Sequence, residues 1–349
     1  MKMHKHGGDI YHSENCLDFS ANCNPLGVPE SVKQAIIESF THLAHYPQVG
    51  YEPLKKAIAQ YEKCDENYVI CGNGAAELIY TLCHAAKPKK ALIPAPTFAE
   101  YELALESIDC EITYVPLDAS NGFTIDQSIC EWITEDIDIL FLCNPNNPTG
   151  ILIEREELLK IAQKCKQNDT LLVIDECFLD FVKHPDVYTL LDELYRFENV
   201  FLLKAFTKRY AMAGVRLGYG LCSNQDLLDK MKGSVQPWNL SVMAQYAGIA
   251  ALKEHSYVEE ARQIIFEEQE YLKKELTACG LEVFPSTSNY IFFHGPVGLK
   301  DKCAKHNVLI RDCSNYTGLA DGWYRVAVLL HEENTQLIEV LRHILRDGK

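Results

Sequence analysis

The chain has 349 residues, 47% of them hydrophobic and 23% charged, with a formal net charge of −16. That length holds one large domain and one smaller one. The acidity argues against a nucleic-acid partner and means that any anionic ligand must be captured by local positive sites. Fourteen cysteines are scattered with no C-x-x-C pair and no zinc spacing, so no metal site is expected. Thiols such as Cys143, Cys177 and Cys222 lie in apolar stretches and act as small hydrophobes in a reducing compartment. The first residues lack the apolar core of a signal peptide, and no apolar run reaches membrane length. His4 and His6 do not make a full ligand set. The expectation is a soluble, cytoplasmic protein with no membrane partner.

In chain order, residues 31–44 place Val32, Ile36, Ile37, Phe40 and Leu43 at helical spacing, and Leu54, Ala57, Ile58 and Tyr61 do the same. From residue 68 to 222, short apolar runs alternate with helical patterns. The runs fall at 68–71, 91–94, 111–115, 137–143, 171–174, 200–203 and 219–222. Such runs, apolar on both faces, predict a buried, mostly parallel sheet with helices outside it. A long helix is predicted over 257–279, stopped by Gly280. Strand-like runs follow at 282–285, 289–294, 308–311 and 323–328, and an amphipathic helix covers 333–345. The predicted fold class is therefore α/β, a mostly parallel central sheet with a smaller α+β domain. The expected division is an arm over 1–30, a large domain over 31–245 and a small domain over 246–349.

The polar motifs fall at the carboxyl ends of the predicted strands, where open α/β sheets bind ligands. After the run 200–203 come Lys208 and, eight residues later, Arg216. A lysine there can form a Schiff base with an aldehyde, and a nearby arginine suits a phosphate. An aldehyde and a phosphate in one ligand suggest pyridoxal phosphate. Gly72-Asn-Gly-Ala-Ala-Glu77 joins a strand to a helix whose open amides also suit a phosphate. Asp175 ends an apolar strand, which is costly for a carboxylate without a partner. A pyridinium nitrogen, a helix N-terminus or an arginine would each serve. Asn147 sits in the stiff loop Asn144-Pro-Asn-Asn-Pro-Thr-Gly150, which is otherwise a plain turn. Phe98 is placed either to stack on a flat heterocycle or to fill the core. Arg311 and Arg325 lie in apolar strands, suited equally to an anionic ligand or to a structural ion pair.

The ordered series N-P-T-G, D-E-x-[FY], T-K and R-L-G-Y resembles that of the fold type I pyridoxal-phosphate enzymes of the class I/II aminotransferase group, over nearly the whole length. The resemblance implies a three-layer, pyridoxal-phosphate-dependent transferase-like fold and pyridoxal 5'-phosphate as cofactor. It implies Lys208 as the covalent anchor, Asp175 on the pyridine nitrogen, Asn147 on the ring hydroxyl and Phe98 stacked on the ring. Arg216, Thr207 and the turn Gly74, Ala75 and Ala76 would hold the cofactor phosphate, although Ala205 stands where these enzymes usually carry a serine. Arg325 would hold the substrate carboxylate. Tyr46 would reach the cofactor phosphate of a neighbouring subunit, so a homodimer with shared sites is implied. Regulatory fold type I proteins usually carry an added DNA-binding domain, for which this chain has no room.

Two branches of the group compete: histidinol-phosphate aminotransferases and the L-threonine-O-3-phosphate decarboxylases of cobalamin biosynthesis. The second is closer in His6-Gly-Gly8, in Asp18-Phe-Ser-Ala-Asn-Cys-Asn-Pro-Leu-Gly27, in Phe98-Ala-Glu-Tyr101 and in the segment Leu309 to Leu319. It is closer also in Phe178, where the aminotransferases usually carry a tyrosine. This branch implies that His6, with Gly7, and Arg311 bind the substrate phosphate and that Asn22 lines the pocket.

Overall fold

In the computed structural model, residues 6–11 and 16–346 are described; His4 lies outside them. Strand β1 (Leu17–Asp18) comes first, and the main sheet is then built from β2 (Val69–Gly72), β3 (Lys90–Ala95), β4 (Glu111–Pro116), β5 (Ile139–Cys143), β6 (Leu171–Asp175), β7 (Val200–Ala205) and β8 (Gly218–Leu221). Their order across the sheet is β2-β8-β7-β6-β5-β3-β4. β8 is antiparallel to both its neighbours and the other adjacent pairs are parallel. β2, β5 and β7 are buried throughout, β3 and β6 in all but their first residues. That burial is why these strands read as continuous apolar runs rather than as an alternation. Two apolar cores, one on each face of this sheet, complete the three layers.

The remaining strands are β9 (Glu282–Val283), β10 (Tyr290–His294), β11 (Val308–Leu309), β12 (Arg311–Asp312) and β13 (Trp323–Ala327). β12-β13-β10-β9 form an antiparallel sheet. The single strand expected over 308–311 is divided at Ile310. β11 pairs in parallel with β1, and β12 pairs with β13. The chain changes partner there, so the N-terminal arm is tied to the C-terminal sheet. The helix expected over 257–279 runs His255–Ala278, and the last helix runs His331–Arg346. Among the described residues no helix is long and apolar enough to cross a membrane.

Candidate active site

Five strands that run in one direction deliver the site from their carboxyl ends. Beyond β2 lies the turn to Ala75, beyond β3 lies Phe98, and beyond β5 lies Asn147. β6 ends on Asp175, and β7 leads into the short helix Phe206–Arg209 that carries Thr207 and Lys208. Here they border a cavity of about 230 Å³. Its lining holds Ala75, Ala76, Phe98, Asn147, Asp175, Thr207, Lys208 and Arg216 from the main sheet's side, with Ala205 bordering the same space. His6, Gly7 and Asn22 enter from the arm, and Arg311 and Arg325 from the C-terminal sheet. Of the residues picked out in the sequence, Gly74 and Tyr46 are not in the lining. Only glycine fits at Gly74: a Cβ there would lie 2.3 Å from Arg216 Nη2, and its φ of +81° favours glycine. Tyr46 is exposed and stacks on Trp238 at 4.5 Å.

Asp175 is fully enclosed, and burial pushes its carboxyl pKa up. Two donors oppose that shift: the Cys177 amide on Oδ1 at 3.0 Å and the Tyr101 hydroxyl on Oδ2 at 2.6 Å. The positive Lys208 acts in the same direction. Lys208 Nζ lies 5.6 Å from the Phe178 ring centre. Asn147 Oδ1 accepts from the Tyr316 hydroxyl at 3.3 Å and from Arg325 Nη1. With the oxygen engaged, Nδ2 is the atom left to donate.

Arg311 and Arg325 are opposite one another across β12 and β13. Both are nearly buried, at 8% and 6% exposure. Their hydrogen-bond partners are uncharged. Arg311 donates to Asp312 O at 2.7 Å and Asn315 Oδ1 at 2.9 Å, and Arg325 donates to Ser20 O at 2.9 Å and to Asn147. Among the described residues neither guanidinium is in an ion pair. Two desolvated cations without carboxylates call for anions.

Tyr101 and Tyr316 were not legible as site residues, because each reads as an apolar-pattern aromatic. A buried ionic cluster behind the site was also missed. Lys204 Nζ lies 3.1 Å from Glu176 and 3.6 Å from Glu62, and Arg209 Nε lies 2.7 Å from Asp180. Its sequence signal is Lys204, a charged residue directly after the apolar run 200–203.

The residues fit pyridoxal phosphate. The helix Ala75–Ala86 begins without a side-chain cap, so its first amides and the Arg216 guanidinium face the same space and suit the phosphate. The raised Asp175 carboxyl suits a ring nitrogen that can share its proton. Both polar atoms of the Asn22 amide, and Arg325 Nε, are buried with no hydrogen-bond partner among the described residues. Native proteins seldom leave such groups unsatisfied away from a ligand site.

Comparison with known proteins agrees. A family model described as aminotransferase class I and II matches residues 14–341. Threonine-phosphate decarboxylase from Salmonella typhimurium is 35% identical over 97% of this chain and 96% of its own length. Histidinol-phosphate aminotransferase from Methanosphaera stadtmanae is 30% identical over 96% of this chain and 92% of its own. The crystal structure of histidinol-phosphate aminotransferase from Clostridium acetobutylicum superposes with a TM-score of 0.89 and 32% identity, covering 95% of this chain and 99% of that one. With a lysine, a buried aspartate and a glycine turn gathered at the strand ends, this chain is a pyridoxal-phosphate enzyme and belongs to the aminotransferase class I and II family.

Proposed function

We propose that the protein decarboxylates L-threonine O-3-phosphate to (R)-1-aminopropan-2-yl phosphate and carbon dioxide, in cobalamin biosynthesis. The observation that carries this reading is the pair Arg311 and Arg325, two buried guanidinium groups side by side with no carboxylate partner among the described residues. A substrate with a carboxylate at one end and a phosphate at the other matches two such groups. The full-length likeness to a threonine-phosphate decarboxylase supports it.

When bound, pyridoxal phosphate supplies an aldehyde that captures the substrate amine and a ring that accepts electron density from the α-carbon. The chain's residues do the rest. Arg216 and the amides of Ala75 and Ala76 hold the cofactor phosphate. Asp175, fixed by Tyr101, holds a proton at the ring nitrogen. Asn147 Nδ2 would donate to the ring hydroxyl, and Phe98 would pack against the ring. Arg325 orients the substrate carboxylate, and Arg311 with His6 holds its phosphate, so that the bond to the carboxylate is the one aligned for cleavage. Lys208 Nζ moves a proton to the carbon that carbon dioxide leaves. Phe178, without a hydroxyl, lies beneath the lysine where it offers no hydrogen bond.

The arm, the large part and the C-terminal part are proposed to divide at residues 30 and 245, with the arm and C-terminal sheet forming the substrate side. A homodimer is part of the same proposal. Ile37, Phe40, Leu43, Tyr46, Trp238 and Tyr246 are all exposed, a concentration of apolar surface that a second copy would cover. Fourteen cysteines with free thiols support a cytoplasmic setting.

The test is to give the purified holoenzyme L-threonine O-3-phosphate with no keto acid. Release of carbon dioxide supports the proposal. If turnover requires 2-oxoglutarate and proceeds with histidinol phosphate, the protein is an aminotransferase and the proposal fails.

A further inference from the structure

His6 and Gly7 of the arm border the cavity, and the described residues around them are held at two places. Gly8 N donates to Ser20 Oγ at 2.7 Å, and Gly7 lies so close to Ser20 that a Cβ would fall 2.2 Å from its carbonyl oxygen. Beyond that pin, His6 Nε2 meets Glu100 Oε1 at 2.9 Å, and the His6 and Phe98 ring centres are 6.5 Å apart. His6 is half exposed, whereas the Glu100 side chain is only 14% exposed. Glu100 begins the helix Glu100–Glu106 beside Tyr80, whose hydroxyl pKa is pushed up first by burial and then by the Glu100 carboxylate. The fixed member of the pair is therefore Glu100, and the member that needs fixing is the histidine on the arm.

We propose that Glu100 is a positioning residue: its carboxylate holds His6 at the rim of the cavity, so that the arm stays closed and the imidazole faces the anionic end of a phosphorylated substrate. The argument is geometric. Ser20 fixes the arm's backbone only from Gly7 onward, and the 2.9 Å contact of a ring nitrogen with a rigid carboxylate limits the direction of the ring and which nitrogen is left over. The substrate role rests on the function proposed above; the latch itself does not.

Two measurements on the holoenzyme separate them. Hydrogen exchange at the Gly7 and Gly8 amides, without substrate, reads the latch. Glu100→Gln and His6→Ala should each speed it. Unchanged exchange in Glu100→Gln overturns the proposal whatever the substrate proves to be. Steady-state kinetics with L-threonine O-3-phosphate then read the role. Glu100→Gln should raise KM about tenfold and change kcat by less than about twofold. The double variant should be no worse than His6→Ala alone. Independent, multiplying effects, or a fall in kcat at constant KM, would show that Glu100 does not act through His6. A wild-type enzyme inactive on this substrate but with faster arm exchange in Glu100→Gln would refute the proposed function and leave the latch standing.

Discussion

The Tyr101 hydroxyl donates to Asp175 Oδ2 at 2.6 Å, from a ring stacked at 4.9 Å on Phe141 of β5. Tyr101 is fully buried and its own pKa is pushed well up, first by burial and then by the neighbouring carboxylate. It is thus a permanent donor to Asp175. Tyr101→Phe removes a hydrogen bond to a charged group, worth about 1.5–3 kcal/mol. The variant should bind pyridoxal phosphate roughly tenfold more weakly, measured by titrating the cofactor-free protein and following tyrosine-independent absorbance of the bound cofactor.

Lys208→Ala should abolish the long-wavelength absorbance of covalently held cofactor and reduce turnover to background. A variant that keeps that band would show that another amine is the anchor. Lys208 is only partly buried and lies beside the buried Phe178, so its truncation should leave the melting temperature of the cofactor-free chain nearly unchanged.

Arg311→Ala should raise KM for a phosphorylated substrate by about 10–100-fold, the loss of one charge-assisted contact of roughly 1.5–3 kcal/mol, while the cofactor titrates as in wild type. Arg325→Ala should weaken phosphorylated and unphosphorylated amino acids alike, because its assigned partner is the carboxylate. Equal effects of both variants on both substrates would contradict the division of labour.

Asp175→Asn should stabilise the cofactor-free chain and cripple the enzyme. Burial raises the Asp175 pKa above its ordinary 3.8. A carboxyl of that kind favours the fold while protonated, so its contribution is complete below pH 3.8 and is lost as the pH climbs through the raised value. Near pH 8 the wild-type side chain is therefore a cost. The asparagine variant should melt about 2 °C higher there, with a smaller difference near pH 4, as read by thermal denaturation of cofactor-free protein.

Behind the site, Glu176 is fully buried, accepts from Thr189 Oγ1 at 2.7 Å and pairs with Lys204. Glu176→Ala leaves a buried ammonium with one carboxylate fewer and should cost about 3–5 kcal/mol in urea-induced unfolding. Replacing both partners, as Glu176→Gln with Lys204→Met, should recover part of that loss.

The chain's own order of residues determined the central sheet and the residues at its strand ends. Its inner strands are runs buried on both faces, and a residue that ends or follows such a run is by that fact at a ligand-facing edge. Asp175 after 171–174 and Lys208 after 200–203 are legible for this reason, since only neighbours in sequence are involved. Tertiary structure alone decided the pairings. Arg311 meets Arg325 because the chain leaves β1's partner strand at Ile310 and joins β13. Tyr101 reaches Asp175 across 74 residues, and His6 finds Glu100 from the far end of the arm. Helical or alternating periodicity records which face of an element is apolar, but a buried tyrosine or arginine looks the same whether it meets core, carboxylate or ligand. That choice belongs to long-range packing, and it is what turns a lysine and an aspartate at two strand ends into a site with a direction for its substrate.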